Sequence, residues 1–337
     1  MKKILALSAL AVLLASGTAL ADTSGKKIAF SNNYAGNSWR QSMLKSYEAV
    51  AKKAVADKVV GAADVFTTAD KEVPTQAAQV QNLILQGYDA IVINSASPDA
   101  LNGAIKQACD AGIVVVSFDG IVTEPCAYRV VVDYEKMGKE EVEQMAKFLP
   151  KGGNLLEIRG LAGTSIDDAI HKGITEAVAA HPQFKVVGSV TGDWDQTTAQ
   201  KAVATILPSL PEIAGVVDQG GDGYGAAQAF AAAGKPRPTI IMGNRQDELQ
   251  WWKEQKEKDG YTTWSGSIAP GVSTLAFWVA QLVLDGHKDI PHDLVVPYLS
   301  FTQDNFEAAL PDIPKGGVAS HEYTQADALA AIKDNMK

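Results

Sequence analysis

Asn37, Trp39 and Arg40 fall in one short stretch, and together they offer an amide that both donates and accepts, a flat aromatic face and a planar cation. Such a set suits a small ligand that carries hydrogen-bonding groups around an apolar face. The stretch is 27–43, KIAFSNNYAGNSWRQSM. Ile28, Ala29 and Phe30 read as a buried strand, 31–37 as a polar loop containing glycine, and Ser38 as the N-cap of a helix from Trp39 to about Asp57. In an open α/β sheet, ligands lie at the carboxyl ends of strands, where this loop falls. The competing reading keeps Trp39 in the core and Arg40 in solvent.

Residue types that perform covalent or metal chemistry lack the spacing they need. His171, His181, His287, His292 and His321 follow neither metal-ligand spacing nor an HExxH pattern, and no GxSxG turn is present. The glycine-rich run 220–225 matches neither GxGxxG nor a P-loop, and reads as a tight turn at a helix start. Asp193, Trp194 and Asp195 lack the remaining ligands of a calcium loop. Trp251, Trp252 and Trp264 read as packing residues and Trp278 as core. The expectation is a binding protein with no catalytic residue, no cofactor and no metal. An aromatic face with an amide and a guanidinium fits a sugar, which presents C–H faces and a rim of hydroxyls.

The elements that must hold these residues alternate between strand and helix. Strands are expected at 28–30, 63–67, 90–93, 113–118 and 128–132, with helices at 39–57, 74–86 and 98–111 between them. Apolar runs such as 113–118 are what parallel strands covered on both faces look like. The pattern then restarts. Helices are expected at 134–149, 166–180, 196–207 and 224–233, strands at 154–158, 184–191, 214–218 and 239–242, and a further helix holds Trp251 and Trp252. A strand at 261–268, a long apolar helix at 270–285, a strand at 293–299 and a helix at 325–333 follow. The reading is α/β, with two doubly wound parallel-sheet lobes joined by a hinge of three crossovers near 132, 268 and 297. The first lobe comprises 22–132 plus 268–297, and the second 133–267 plus 298–337.

Length and charge bound the rest. Residues 1–21 read as a secretory signal peptide, with Lys2 and Lys3, an apolar run at 4–14 and a cleavage site near Ala21. The remaining length exceeds what one core usually holds. A net charge of −9 without a Lys/Arg run argues against nucleic acid and against anionic membrane surfaces. No later run approaches the ~20 apolar residues of a membrane span. Cys109 and Cys126 form an even pair that either bridges or stays as two separate buried thiols.

This layout resembles the type I periplasmic solute-binding proteins of ABC transporters, in the group of ribose- and galactose-binding proteins. The resemblance rests on KIAF near the start, AIVINSASPDAL at 90–101, AGIVVVSFDG at 111–120 and GLAGTS at 160–165. It implies a ligand held between two lobes that close around it. It places ligand contacts at Asn37, Trp39 and Arg40 after the first strand, at Asn94 after the third and at Asp119 after the fourth. In the second lobe it points to Trp194, to Asp222 in a Gly221-Asp222 pair, and to Asn244 and Arg245 in MGNR. Gly120 stands where ribose binders commonly have arginine. The family's arginine after the GTS run is missing, and Asp167, Asp168 and His171 fill that neighbourhood, with Asp168 the candidate contact.

Taken together, the expectation is a non-enzymatic periplasmic protein that binds a pentose, hexose or related polyol and delivers it to a membrane ABC permease. It is expected to be monomeric, without nucleic acid and without membrane insertion of its own. The alternative is a sensory protein that presents a sugar-like signal to a chemoreceptor or sensor kinase.

Overall fold

Continuous apolar runs become interior strands, and the polar turns that interrupt them become the rim of a cleft. The computed structural model describes residues 22–69 and 72–336, so the expected signal peptide at 1–21 lies outside the described residues. The first set of elements is β1 (Lys27–Asn32), α1 (Ser38–Ala56), β2 (Ala62–Thr67), α2 (Val73–Leu85), β3 (Ala90–Asn94), α3 (Asn102–Asp110), β4 (Val114–Phe118) and β5 (Tyr128–Val132). The second is α4 (Tyr134–Phe148), β6 (Gly153–Arg159), α5 (Ser165–Ala180), β7 (Phe184–Thr191), α6 (Gln196–Ile206), β8 (Gly215–Asp218), α7 (Gly223–Ala232), β9 (Thr239–Ile240), α8 (Gln246–Asp259) and β10 (Ser265–Ser267). The chain ends with α9 (Val272–Leu284), β11 (Asp293–Val296), β12 (Leu299–Phe301), α10 (Phe306–Ala309) and α11 (Gln325–Asn335).

The first sheet runs β2-β1-β3-β4-β5-β11, and every neighbouring pair is parallel. The second runs β7-β6-β8-β9, also parallel. It is continued by a bridge from Met242 to Ser265 and by the antiparallel pair β10-β12. In both sheets the strand order reverses direction beside the first strand of the set, between β1 and β3 and between β6 and β8. A crevice opens at such a switch point because the connections leave toward opposite faces.

The interior of the first sheet is apolar on both faces. Phe30 packs against Tyr47 of α1 and Phe118 of β4, with ring centroids 4.6 and 5.4 Å away, and Tyr47 meets Phe277 of α9 edge-on at 5.7 Å. On the other face, Ile91, Ile93, Val80, Leu83 and Ile105 form a second buried cluster beneath α2 and α3. Cys109 at the end of α3 and Cys126 before β5 are joined in a disulfide beside this cluster.

The chain crosses between the sheets from β5 to α4, from β10 to α9 and from β11 to β12. A fourth passage corrects the sequence-based division of the tail. The segment 298–337 was expected to stay with the second lobe, but α11 packs on α9 and β11 of the first. Its buried Ala328 and Ile332 belong to the core that α9 and β11 share. The route is pinned on both sides. Ala319 N donates to Asn244 O at 2.8 Å, Gly271 N donates to Ser320 Oγ at 2.9 Å, and Tyr323 N donates to Thr274 Oγ1 at 2.8 Å. The expected strand at 293–299 is two strands, because β11 joins the first sheet and β12 the second.

Candidate binding cleft

The loops after β1, β3, β4, β6, β7 and β8 converge between the two sheets. α1 begins at Ser38, one residue before the expected start. Its N-cap is Asn37, whose side-chain oxygen accepts from Arg40 N at 2.8 Å. That cap fixes the first helical turn and sends Trp39 and Arg40 into the cleft. Trp39 Nε1 donates to Ile268 O at 2.8 Å, so the indole is oriented by the connection between β10 and α9.

Arg40 and Asp119 form a buried ion pair, Nη2 to Oδ2 at 3.2 Å, with side chains 8% and 7% exposed. Asp119 also accepts from Asn94 Nδ2 at 2.9 Å and from Tyr134 Oη at 2.8 Å. Its carboxylate is therefore held from three directions. Burial and the adjacent Asp119 charge keep the Tyr134 hydroxyl protonated, far above the usual tyrosine range. Asp119 has φ of 57°, a costly conformation for a residue other than glycine. Gly120 beside it accounts for the missing arginine of the ribose binders. A Cβ there would lie 2.5 Å from Ser95 O and 2.7 Å from Asn94 Oδ1, so the β3 and β4 loops pack too closely for any side chain.

The opposite wall is built around Trp194. Asp193 and Trp194 both have positive φ, 56° and 53°, a strained pair for non-glycine residues. Contacts hold them there. Arg245 Nη2 donates to Trp194 O at 2.6 Å, and the indole lies over Gly160, where a Cβ would come within 2.2 Å of the ring. Arg245 Nε also donates to Ser38 Oγ at 2.8 Å, so one guanidinium touches both sides of the cleft.

Two connected chambers result. The inner one is lined by Asn37, Trp39, Arg40, Asp119 and Ile268 on one side and Tyr134, Met137, Ile166, Ile170, Trp194, Gln219, Gly220, Arg245 and Ser267 on the other. The outer one adds Asn33, Tyr34, Ser95, Ser97, Thr164, Ser165 and Asp193. A cleft between two aromatic rings, rimmed by amides and guanidinium groups, has the chemistry to hold a small polar ring.

Of the residues expected from sequence, Asn37, Trp39, Arg40, Asp119, Trp194 and Arg245 line the inner chamber. Asn94 does not. It is fully buried behind Asp119 and orients it. Asp168 is also off the wall. Its side chain is 71% exposed and faces Arg159 at 3.2 Å, because the first turn of α5 directs Ile166 and Ile170 inward instead. Asp222 has no exposure and lies beneath the surface, where the space above Gly192 is closed. Asn244 is turned into the hinge, donating to Ser267 O at 3.4 Å and Leu299 O at 2.9 Å and accepting from Ser265 Oγ. Tyr134, Met137, Ile170 and Gln219 were missed. Tyr134 reads as an ordinary helix start, and only the Gly-rich turn after Asp218 hints that Gln219 ends a strand at the cleft.

Beneath the second wall lies a group of buried carboxyls. Burial, and then the charge of Glu248, push Asp218 up to about 8. Burial and Asp218 raise Asp222 and Glu141 well above the carboxylate range.

A family model described as a periplasmic binding protein domain matches residues 28–288. A xylitol-binding protein of Mycolicibacterium smegmatis is 30% identical over 250 residues, covering 73% of this chain and 70% of that protein. A ribose import binding protein of Salmonella typhimurium is 30% identical over 216 residues, covering 63% and 71%. Among solved structures, an ABC transporter solute binding protein from Thermobispora bispora superposes with a TM-score of 0.86 at 33% identity, covering 92% and 95% of the two chains. The arabinose-binding component from Shewanella sp. ANA-3 shares the fold with a TM-score of 0.76 at 19% identity, over 91% and 98%.

Proposed function

The chain belongs to the periplasmic binding proteins, a family of non-enzymatic transport components, and from that premise we propose that it captures a monosaccharide or related polyol for a membrane ABC permease. The observation that carries the reading is the inner chamber, in which Trp39 and Trp194 stand on opposite lobes with Arg40, Asp119, Gln219 and Arg245 between them. C–H faces of a sugar pack on the two indoles. Hydroxyls at its rim meet amides and guanidinium groups that serve as donors and acceptors of fixed geometry.

The mechanism is closure. A ligand that touches both lobes makes its full set of contacts only when they are together, and so raises the population of the closed state. Arg245 is suited to sense this, since it bonds to Ser38 on one side and to the Trp194 carbonyl on the other. The closed pair of lobes then forms the surface that the permease engages. The protein acts as a monomer in the periplasm, where members of the family work.

A thermal-shift screen of the purified protein against pentoses, hexoses, polyols, sugar acids and amino acids tests this. A ligand at about 100 times its Kd adds roughly 2.7 kcal/mol of stability, which moves the midpoint by several degrees. A shift with neutral sugars or polyols supports the reading. A shift only with amino acids or other non-carbohydrate solutes overturns it.

A further inference from the structure

On its second-lobe side the inner chamber carries an apolar patch beside the polar residues Gln219, Arg245 and Ser267. Asn37, Arg40 and Asp119 face it from the first lobe. Facing them are Met137 of α4 and Ile166 and Ile170, one turn apart on α5. Met137 and Ile170 are each 1% exposed and Ile166 is 7% exposed, so this wall is closed to water. None of the three can pair with a hydroxyl in more than a weak contact. Two chamber-lining residues of the second lobe also carry a buried polar atom without a hydrogen-bond partner. One is Gln219 Oε1, whose amide nitrogen is held by Asp167 O at 3.0 Å and Asp167 Oδ1 at 2.8 Å. The other is Arg245 Nη1. This lobe therefore holds one unpaired acceptor and one unpaired donor, both buried, in residues that flank the apolar patch.

A ring hydroxylated at every position would press a hydroxyl against that wall, stripped of water and without a partner. A methyl or methylene group at the same position would instead be buried against matching side chains. We propose that the solute is a deoxygenated carbohydrate, a sugar or polyol with a methyl or methylene group seated on Met137, Ile166 and Ile170. The proposal rests on the carbohydrate reading above and narrows it.

Calorimetric titration of the full chain with matched sugars tests it. Suitable pairs are L-fucose with L-galactose, D-fucose with D-galactose, L-rhamnose with L-mannose, 6-deoxy-D-glucose with D-glucose and 2-deoxy-D-ribose with D-ribose. At least one deoxygenated member is expected to bind about 10- to 100-fold more tightly than its hydroxylated partner. If sugars bind but no pair favours the deoxygenated member by as much as tenfold, this proposal is overturned and the carbohydrate reading stands. If no member binds, this proposal is overturned, and the thermal-shift screen above decides the carbohydrate reading. Ile170→Thr places a hydroxyl on the wall and is expected to reduce the preference at least threefold. An unchanged preference in a variant that unfolds with wild-type cooperativity overturns the assignment of the wall, and the wild-type titrations remain decisive if the variant does not fold.

Discussion

The Tyr134 hydroxyl donates to Asp119 Oδ1 at 2.8 Å, joining the first residue of α4 to the residue that follows β4. The bond spans the boundary between the lobes and is assisted by the carboxylate charge. Hydrogen bonds to charged groups contribute about 1.5–3 kcal/mol. Tyr134→Phe is therefore expected to weaken ligand binding about ten- to a hundredfold. Asp119 keeps Asn94 and Arg40, so the fold is expected to survive. Calorimetry gives the affinity and small-angle scattering the lobe separation. Wild-type values in both would mean that the bond does not help hold the lobes together.

Gly160→Ala tests the seat of Trp194. The new Cβ would fall 2.2 Å from the indole, and the ring must move. The expected result is an affinity loss of about tenfold or more with thermal stability changed by only about 1 kcal/mol, since the ring shifts into open cleft rather than into the core. Equal affinity in the variant would remove Trp194 from the binding wall.

Asp218 gives a pH dependence with a definite sign. Its pKa in the folded chain is pushed up to about 8 from 3.8 by burial and then by the charge of Glu248. A raised carboxyl pKa stabilises the fold below the unfolded value, and that stability is lost as pH climbs toward 8. Asp222 and Glu141 shift in the same direction. Asp218→Asn removes one of these groups. The stability of the variant relative to wild type should accordingly improve from pH 5 to pH 8. Parallel melting curves for the two proteins across that range would contradict the placement of a titrating carboxyl there.

The Cys109–Cys126 disulfide closes a loop with a sequence separation of 17. On the chain-entropy account, such a loop contributes about 3 kcal/mol. Reduction, or the Cys109→Ser/Cys126→Ser double variant, should lower the unfolding free energy by about that amount in urea titrations. Ligand affinity should be unchanged, because the bridge lies at the end of α3, away from the cleft.

Much of this architecture is legible in the sequence because burial writes itself into composition. Runs such as Val114–Phe118 can only be covered strands, and the polar residues after them can only face the open end of a sheet. That reasoning reaches Trp39 and Arg40, and the family resemblance adds Asp119 and Trp194. It fails where the direction of one side chain depends on a distant contact. Asp222 and Asn244 also follow strands, but a closed space above Gly192 buries one and the β10-β12 pair captures the other. Tyr134 and Ile170 are set by the packing of α4 on α5 and by how the lobes meet, and neither leaves a local signal. The tail misled for the same reason, since the apolar side of α11 is too short to name its partner sheet.

The passage of the tail back to α9 and β11 has a consequence for the order in which the molecule can be assembled. The parallel strands of the second lobe are encoded without interruption from α4 to β9, and only β12 and α10 join that lobe after the chain has returned to the first. The first lobe starts earlier, yet its sheet lacks an edge strand until β11 emerges. One face stays uncovered until α9 emerges, and the shared core stays open until α11 follows. Domains generally consolidate as units during synthesis. Here the lobe whose synthesis begins first is the last to be completed, and its apolar sheet must be kept from wrong partners until the chain is nearly finished.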